Sequence, residues 1–336
     1  MMLREFRPSD GPDVLRELSL NFARENDLTG MDAAHFLRVV EKAYHGAIGT
    51  LLRLSRLFGV PPVLFLVAEE DHRLVGTTFV SFQKGHGYLA MVMTDPNYRR
   101  RGVASSLLDR AELACRRRRR RYSILDVMED NAEAQRLYRE RGYEPLRRLE
   151  GWVRALPSGD PKPPRTDLVR PTRPSDVPFL VEAHRERMPP RVREILPGGV
   201  SALLPPRWLD RVLLSESTAW CTGPVGRPTA YARATFTTSQ EPGILSLPFL
   251  AEGATAEERE GILLTALGWL SEHGADRAAA TCPEHESRTR TLLEEQGFSL
   301  RWRTETMVKD LWLPDPSALQ RQGRTSEAPP DPSSGP

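Results

Sequence analysis

The sequence predicts a mixed α/β fold used twice in tandem, each copy a mostly antiparallel, twisted sheet flanked by helices. Three observations predict it. The head LREFRPSDGPDVLREL near residue 3 returns as LVRPTRPSDVPFLVEA near residue 168, with Arg-Pro-Ser-Asp in common. The tail AQRLYRERGYEPL, residues 134 to 146, returns as RTRTLLEEQGFSL, residues 288 to 300; each is a helical pattern closed by glycine and followed by a strand pattern. Between head and tail of the first half, three apolar runs in succession read as neighbouring strands. A similar head and tail around each half argue for an internal duplication.

Taken in order, each half opens on a short strand, a turn capped by Ser and Asp, and an amphipathic helix. Helical patterns continue over residues 13 to 56. Val63 to Ala68, Leu74 to Phe82 and Tyr88 to Met93 are strands joined by polar turns at Glu69 to Arg73 and Lys84 to Gly87. Val103 to Cys115 is a helix with Val103, Leu107 and Ala111 on one face, Ile124 to Met128 a strand, Ala132 to Arg141 a helix, and Leu146 to Val153 a strand. The order β-α-α-β-β-β-α-β-α-β is a mixed α/β domain and not a doubly wound one. Leu156 to Thr166 (LPSGDPKPPRT) is proline-rich and polar, as expected of a linker between a first domain of residues 1–155 and a second of residues 167–313. Residues 314–336, ending EAPPDPSSGP, bury too little apolar surface to offset their ordering entropy and are expected to be disordered.

Composition narrows the function classes. Of 336 residues 39% are hydrophobic and 27% charged, and no apolar run nears the roughly 20 residues of a membrane span. No membrane association is expected. The net charge of +2 favours no polyanionic partner, apart from the run Arg116 to Arg121. That run follows a helix, where cations suit the dipole and a solvated face is the ordinary outcome; contact with nucleic acid is the other reading. The three cysteines, Cys115, Cys221 and Cys282, are odd in number and far apart, which describes neither a disulfide framework nor a zinc cluster. The start MMLREFRPSD shows no apolar signal segment, so the cytoplasm is the expected compartment. The seven histidines form no HExxH pattern, Cys282 and His285 alone do not make a metal site, and G-x-S-x-G does not occur. No metal is expected.

The chemistry is concentrated in Val92-Met93-Thr94-Asp95-Pro96-Asn97-Tyr98-Arg99-Arg100-Arg101-Gly102-Val103-Ala104, a strand end, a sharp loop and a helix start. Gly102 and Ala104 lack bulk, so a ligand can approach the backbone, and amides from Arg100 to Ser105 point outward at the positive end of the helix dipole. A pyrophosphate is the natural guest, with Arg99, Arg100 and Arg101 adding charge-assisted bonds.

Here the sequence resembles the GNAT superfamily of N-acetyltransferases. Its Pro-x-Tyr-Arg-x-x-Gly-x-Ala/Gly loop matches Pro96, Tyr98, Arg99, Gly102 and Ala104, and its Asn-x-x-Ala-x-x-Leu-Tyr-x-x-x-Gly-Phe/Tyr segment matches Asn131, Ala134, Leu137, Tyr138, Gly142 and Tyr143. The resemblance implies acetyl-CoA as cosubstrate, held by Val92, Met93 and Thr94 of a strand that splays from its neighbour, by Arg99 to Ser105 (with Val103), and near Asn131 and Tyr138. Asn131 can also cap its helix and Gly142 end it. In the family a phenol at Tyr138 lies near the coenzyme sulfur and is the candidate acid; core packing is the other reading. Asp126 stands where ribosomal-protein N-terminal acetyltransferases place a proposed base; a solvent-facing side chain or an arginine partner is the other reading. Glu69, Glu70, Glu41 and Asp27 are further carboxylates able to face an acceptor.

The second half departs from the motif. Its loop Ala251 to Gly261 is acidic and repels a pyrophosphate, and aligning Gly297 with Gly142 puts Leu293 at the Tyr138 position and Glu286 at the Asn131 position. It is expected to be a degenerate copy that shapes the acceptor cleft. The expected activity is acetyl transfer to a primary amine of a small molecule or protein by direct attack in a ternary complex. The alternatives are a non-catalytic acyl-CoA-binding regulatory protein and a nucleic-acid-associated protein using Arg116 to Arg121.

Overall fold

The computed structural model describes residues 1–21, 63–156, 167–196, 215–237 and 241–313. The helical patterns expected from residue 22 to 56, including Asp27 and Glu41, the expected linker beyond Leu156 and the expected tail lie outside the described residues. In the first half β1 (Met2–Glu5), α1 (Gly11–Asn21), β2 (Val63–Glu70), β3 (Arg73–Phe82), β4 (His86–Thr94), α2 (Val103–Arg117), β5 (Tyr122–Met128), α3 (Ala132–Glu140) and β6 (Glu144–Ala155) follow one another. The second half runs β7 (Val169–Pro171), α4 (Val177–Arg187), α5 (Pro190–Ile195), β8 (Glu216–Thr222), β9 (Ala230–Phe236), β10 (Gly243–Leu250), α6 (Ala256–Glu272), β11 (Arg277–Pro283), α7 (Ser287–Glu295) and β12 (Ser299–Asp310).

The repeated heads are built alike. Arg4 forks onto Asp10, Nη1 to Oδ2 at 2.7 Å and Nη2 to Oδ1 at 2.9 Å, and Arg170 forks onto Asp176 at the same two distances. The same carboxylates accept the backbone N–H of Arg7 and Arg173, so each aspartate closes the short turn that leads into α1 or α4. The Arg170 guanidinium holds the Asp176 carboxyl down at about 2. Burial alone would raise Asp10, but Arg4 and the Arg7 amide bring it below the usual range.

The strands form one sheet in the order β1-β2-β3-β4-β5-β12-β6-β11-β10-β9-β8-β7. Among the described residues only β4 with β5 and β10 with β11 run parallel. Each half lends a strand to the other, because β12 lies between β5 and β6, and β6 lies between β12 and β11. Residues 156 to 166 therefore divide the chain without dividing the sheet. The alternation within β6 and β12 fixes which side chains share a face but not which neighbour the strand takes, so this exchange has no signature in the sequence.

The exchange is held by buried polar contacts. Lys309 on β12 places Nζ 2.9 Å from Glu112 Oε2 on α2, with the two side chains 4% and 6% exposed. Tyr143 donates to the other Glu112 oxygen at 3.3 Å and shares a 2.7 Å hydrogen bond with Ser123. At the centre of the sheet Arg303 faces Glu150 and Arg148 faces Glu305, a nearly two-fold symmetric crossing in the alignment that sets Gly297 on Gly142.

The sheet has two unlike faces. On one, α2 and α3 cover Leu64, Leu66, Leu89, Leu125 and Val127 of the first half, while α6 and α7 cover Ala232, Leu245, Ala278 and Ala280 of the second. On the other, α1 covers Phe65, Val67 and Met93, and α5 covers Ile124 and Val308. Gly76 on β3 lets α2 lie close, since a Cβ there would stand 2.7 Å from Val103 Cγ1. No helix among the described residues is long and apolar enough to cross a membrane.

Candidate active site

The site begins as a gap between parallel strands. β4 and β5 pair only from His86–Leu89 to Tyr122–Leu125, and beyond Leu89 they part. A bulge in β4 accompanies the parting: its register against β3 shifts between Thr77 and Phe79, and Met91 takes a left-handed φ of 53°. Thr77 and Thr78 brace it by donating to the Met91 and Ala90 carbonyls at 3.3 Å each. Nothing in the sequence reading pointed to this bulge; a β-branched pair opposite an apolar strand was the one trace of it. Past the bulge, Met93 packs under α1 and Val92 against the α2 cluster, and β4 stays paired with β3 at Met93 and Thr94 while its β5 edge is past the end of the pairing. The Thr94 hydroxyl is buried with no hydrogen-bond partner among the described residues.

The loop after β4 is set by short polar contacts. Asp95 donates its N–H to the Val75 carbonyl at 3.0 Å, and its Oδ1 accepts from the Asn97 amide at 2.8 Å. Arg100 and Gly102 both take left-handed conformations, φ 62° and 81°. The first backbone bond of α2 joins the Ser106 N–H to the Gly102 carbonyl, so the amides of Val103, Ala104 and Ser105 have no acceptor inside the helix. A Cβ at Gly102 would meet nothing within 4 Å, so the space above the loop is open. The arrangement is an anion nest at a helix N-terminus. Arg99 donates to Asn21 Oδ1 at 3.2 Å, and Arg101 lies over the Tyr98 ring.

Two features beside the loop were missed in the sequence. Glu17 on α1 is fully buried, holds Asn21 through its carboxylate and carbonyl, and is raised above the usual carboxylate range by burial and then by Asp95. A recess of about 570 Å³ whose lining mixes Arg16, His72, Arg73 and Arg101 with Asp13 and Asp95 opens beside the loop. Neither is visible without knowing that α1 packs across the end of β4.

Asn131 accepts the Ala134 N–H at 3.1 Å, and Gly142 takes a φ of 81°, so both ends of α3 are closed as the residue types predict. Tyr138 is buried in the α2 cluster, its ring tilted against Tyr143 at 5.9 Å, and burial raises its phenol above the ordinary tyrosine value. Asp126 is on the opposite face of β5 from Tyr138, because Leu125 and Val127 face α2 and α3 while Ile124 faces α5. Its exposed carboxylate accepts the Tyr88 hydroxyl at 2.7 Å. Burial, then the Asp126 charge and this bond, push the Tyr88 phenol up. Tyr138 and Asp126 thus approach the gap from its two faces. Of the other candidate carboxylates, Glu69 is held by Arg4 at 2.7 Å.

The arginine run is not a uniform basic strip. Arg118 packs 4.0 Å over the Phe82 ring and donates to the Ala114 carbonyl, and Arg121 pairs with Asp310 of the second half at 2.8 Å. Among the described residues no cluster of three or more His, Cys, Asp or Glu side chains is placed to hold a metal ion.

The corresponding gap in the second half is closed. β10 and β11 also pair briefly and part, after Leu245 and Ala280. There Arg187 donates to the Leu250 carbonyl at 2.7 Å and pairs with Glu286, tying the end of β10 to the start of α7. The N-terminus of α6 caps itself: Thr255 Oγ1 accepts the Glu258 N–H at 3.1 Å, and Glu258 accepts the Thr255 N–H at 2.8 Å. Leu293 is fully buried at the Tyr138 position.

Residues 34–143 match the model of the acetyltransferase (GNAT) family. No curated protein matches the chain significantly. Among solved structures, a GCN5-related N-acetyltransferase from Sphaerobacter thermophilus is similar at a TM-score of 0.63 and 17% identity, over 94% of this chain and 98% of that one. A tandem GNAT protein from the clavulanic acid biosynthesis pathway gives 0.62 and 12%, over 94% and 99%. A putative acetyltransferase from Pyrococcus horikoshii gives 0.57 and 16%, over 92% and 89%. At such identities the likeness speaks for the fold alone.

Proposed function

We propose, for a chain whose first half carries a domain of the acetyltransferase (GNAT) family, that this half transfers an acetyl group from acetyl-CoA to a primary amine. The observation that carries the reading is the open anion nest at Gly102–Ser105 leading directly into the gap between β4 and β5. The residues fit the cosubstrate: Arg99, Arg100, Arg101 and the amides of Gly102 to Ser105 suit a pyrophosphate, and the edge of β4 away from β3 at Val92 to Thr94, past the end of its pairing with β5, suits an amide-bearing arm and an acyl carbonyl. Acetyl-CoA supplies an activated thioester. Transfer forms an N–C bond and breaks the C–S bond; the amine gives up a proton and the departing sulfur gains one.

Asp126, open to solvent on the α1 and α5 face, receives the amine proton directly or through water. Tyr138, on the other face, donates to the sulfur and is reprotonated from solvent. Burial raises its phenol above the ordinary tyrosine value, so the proton moves as the departing sulfur gathers negative charge. No side chain is needed as a covalent acyl carrier. The second half supplies β12 to the sheet and, with its own gap tied shut, is not a second catalytic centre.

The test is release of CoA thiol from acetyl-CoA across a panel of primary amines. The expected result is release that saturates in both substrates, with kcat lowered by about a hundredfold in Asp126→Asn. Tight acetyl-CoA binding without amine-dependent thiol release would contradict the enzymatic reading.

A further inference from the structure

We propose that the accepted amine carries a carboxylate and that Arg147 holds it; this rests on the acetyltransferase reading and names the acceptor class for the same gap. Asp126, Thr306 and Arg147 form one row across β5, β12 and β6, on the face away from Tyr138. With strands about 4.8 Å apart, the two charged residues stand roughly 10 Å apart at the backbone. The Arg147 side chain leans over Thr306, donating from Nε to Oγ1 at 3.4 Å.

What sets Arg147 apart from the arginines around it is that no carboxylate of the described residues pairs with it. Around it Arg148 and Arg139 face Glu305, Arg141 faces Asp109 and Glu112, and Arg191 faces Glu144. No carboxylate of the described residues comes within ion-pair distance of Arg147, although burial lowers its pKa with only Asp126 and Tyr88 working against that. A guanidinium drawn from water with a hydroxyl but no anion of the described residues beside it is unfavourable, and a carboxylate brought by a ligand fills its fork. The Tyr88–Asp126 pair at the other end of the row then faces the amine of the same molecule.

The row is not a general feature of the fold. The same alignment that sets Gly297 on Gly142 puts Thr281, Gly151 and Trp302 at these three positions in the second half. The indole occupies the place of the guanidinium and lies on Gly151, where a Cβ would stand 1.8 Å from the ring. The charged row belongs to the half with the open nest.

The experiment uses the full chain, acetyl-CoA and matched pairs of ligands: the twenty protein amino acids, several dipeptides, and the decarboxylated amine of each. Thiol release gives kcat/KM, and calorimetry on the protein with acetyl-CoA gives acceptor affinity. The expected result is that carboxylated members exceed their decarboxylated twins by about a hundredfold, the scale of a charged bidentate contact in a dry site. In Arg147→Gln the preference should collapse to within about threefold, with Arg147→Lys intermediate and acetyl-CoA affinity unchanged in both. A preference that survives Arg147→Gln, or a panel in which no carboxylated amine turns over or binds better than its twin, would overturn the assignment. So would a loss of stability in Arg147→Gln with the preference intact, which is the signature of a structural role. Failure of the wild type to bind acetyl-CoA removes the underlying reading instead, and shows itself before any acceptor is added.

Discussion

The two halves share a head, a strand order and a pair of helices on one face, and they differ at the gap between their parallel strands. In the first half the helix N-terminus is open, the tyrosine of α3 reaches the gap cluster, and a carboxylate and an arginine flank the opposite face. In the second the helix caps itself, Arg187 ties the gap, Leu293 replaces the tyrosine and Trp302 replaces the arginine. The fold therefore supplies the position of a site, and a handful of side chains decide whether a site exists there.

The largest effect is expected where the halves are joined. Lys309→Met takes from buried Glu112 its 2.9 Å partner and leaves it Arg141 at 4.0 Å, and should destabilise the protein by up to about 3–5 kcal/mol in urea unfolding. Glu112→Leu in the same chain should recover much of that. Both halves should lose structure in one transition, since β6 and β12 complete each other's sheets; two separate transitions would break the joined picture.

Next come the two nests. Gly102→Val imposes a left-handed backbone on a β-branched residue and crowds the loop, and should weaken acetyl-CoA binding by roughly several hundredfold in calorimetry. Gly253→Val, in the loop before α6, should leave that affinity within about twofold. Tyr138→Phe should lower kcat by about a hundredfold at unchanged acetyl-CoA affinity, the scale of a general acid. Leu293→Ala should do the reverse, costing about 2–5 kcal/mol of stability with little change in kcat.

The smallest effect concerns what the halves have in common. Asp176 is held near 2 in the folded protein against an ordinary value of 3.8, so its contribution is present above about pH 4 and fades as pH falls towards 2. Asp176→Asn should be less stable than the wild type at neutral pH and equal to it near pH 2. Its acid unfolding curve should be flatter in between, with the residual slope carried in part by Asp10.

Much of this was readable in advance. The strand and helix limits of the first half differ from the expected ones by a few residues at most, because period-two and period-3.6 patterns there are undisturbed by competing turns. The caps at Asn131 and Gly142 and the loop from Pro96 to Ala104 are local chemistry, and local chemistry is written in consecutive residues. The row Asp126, Thr306 and Arg147 joins residues from three strands and both halves, and the bulge at Met91 depends on what β3 presents opposite. Glu17 reads as one more helix carboxylate until α1 is placed against β4. Tertiary neighbours decide all three, and sequence spacing does not carry them.

The most direct test of the central claim is the stoichiometry of acetyl-CoA binding to the full chain, measured by calorimetry for the wild type and Gly102→Val. One site per chain, lost or severely weakened in Gly102→Val, is the predicted result. Two sites per chain, or one that persists unchanged in Gly102→Val, would contradict it.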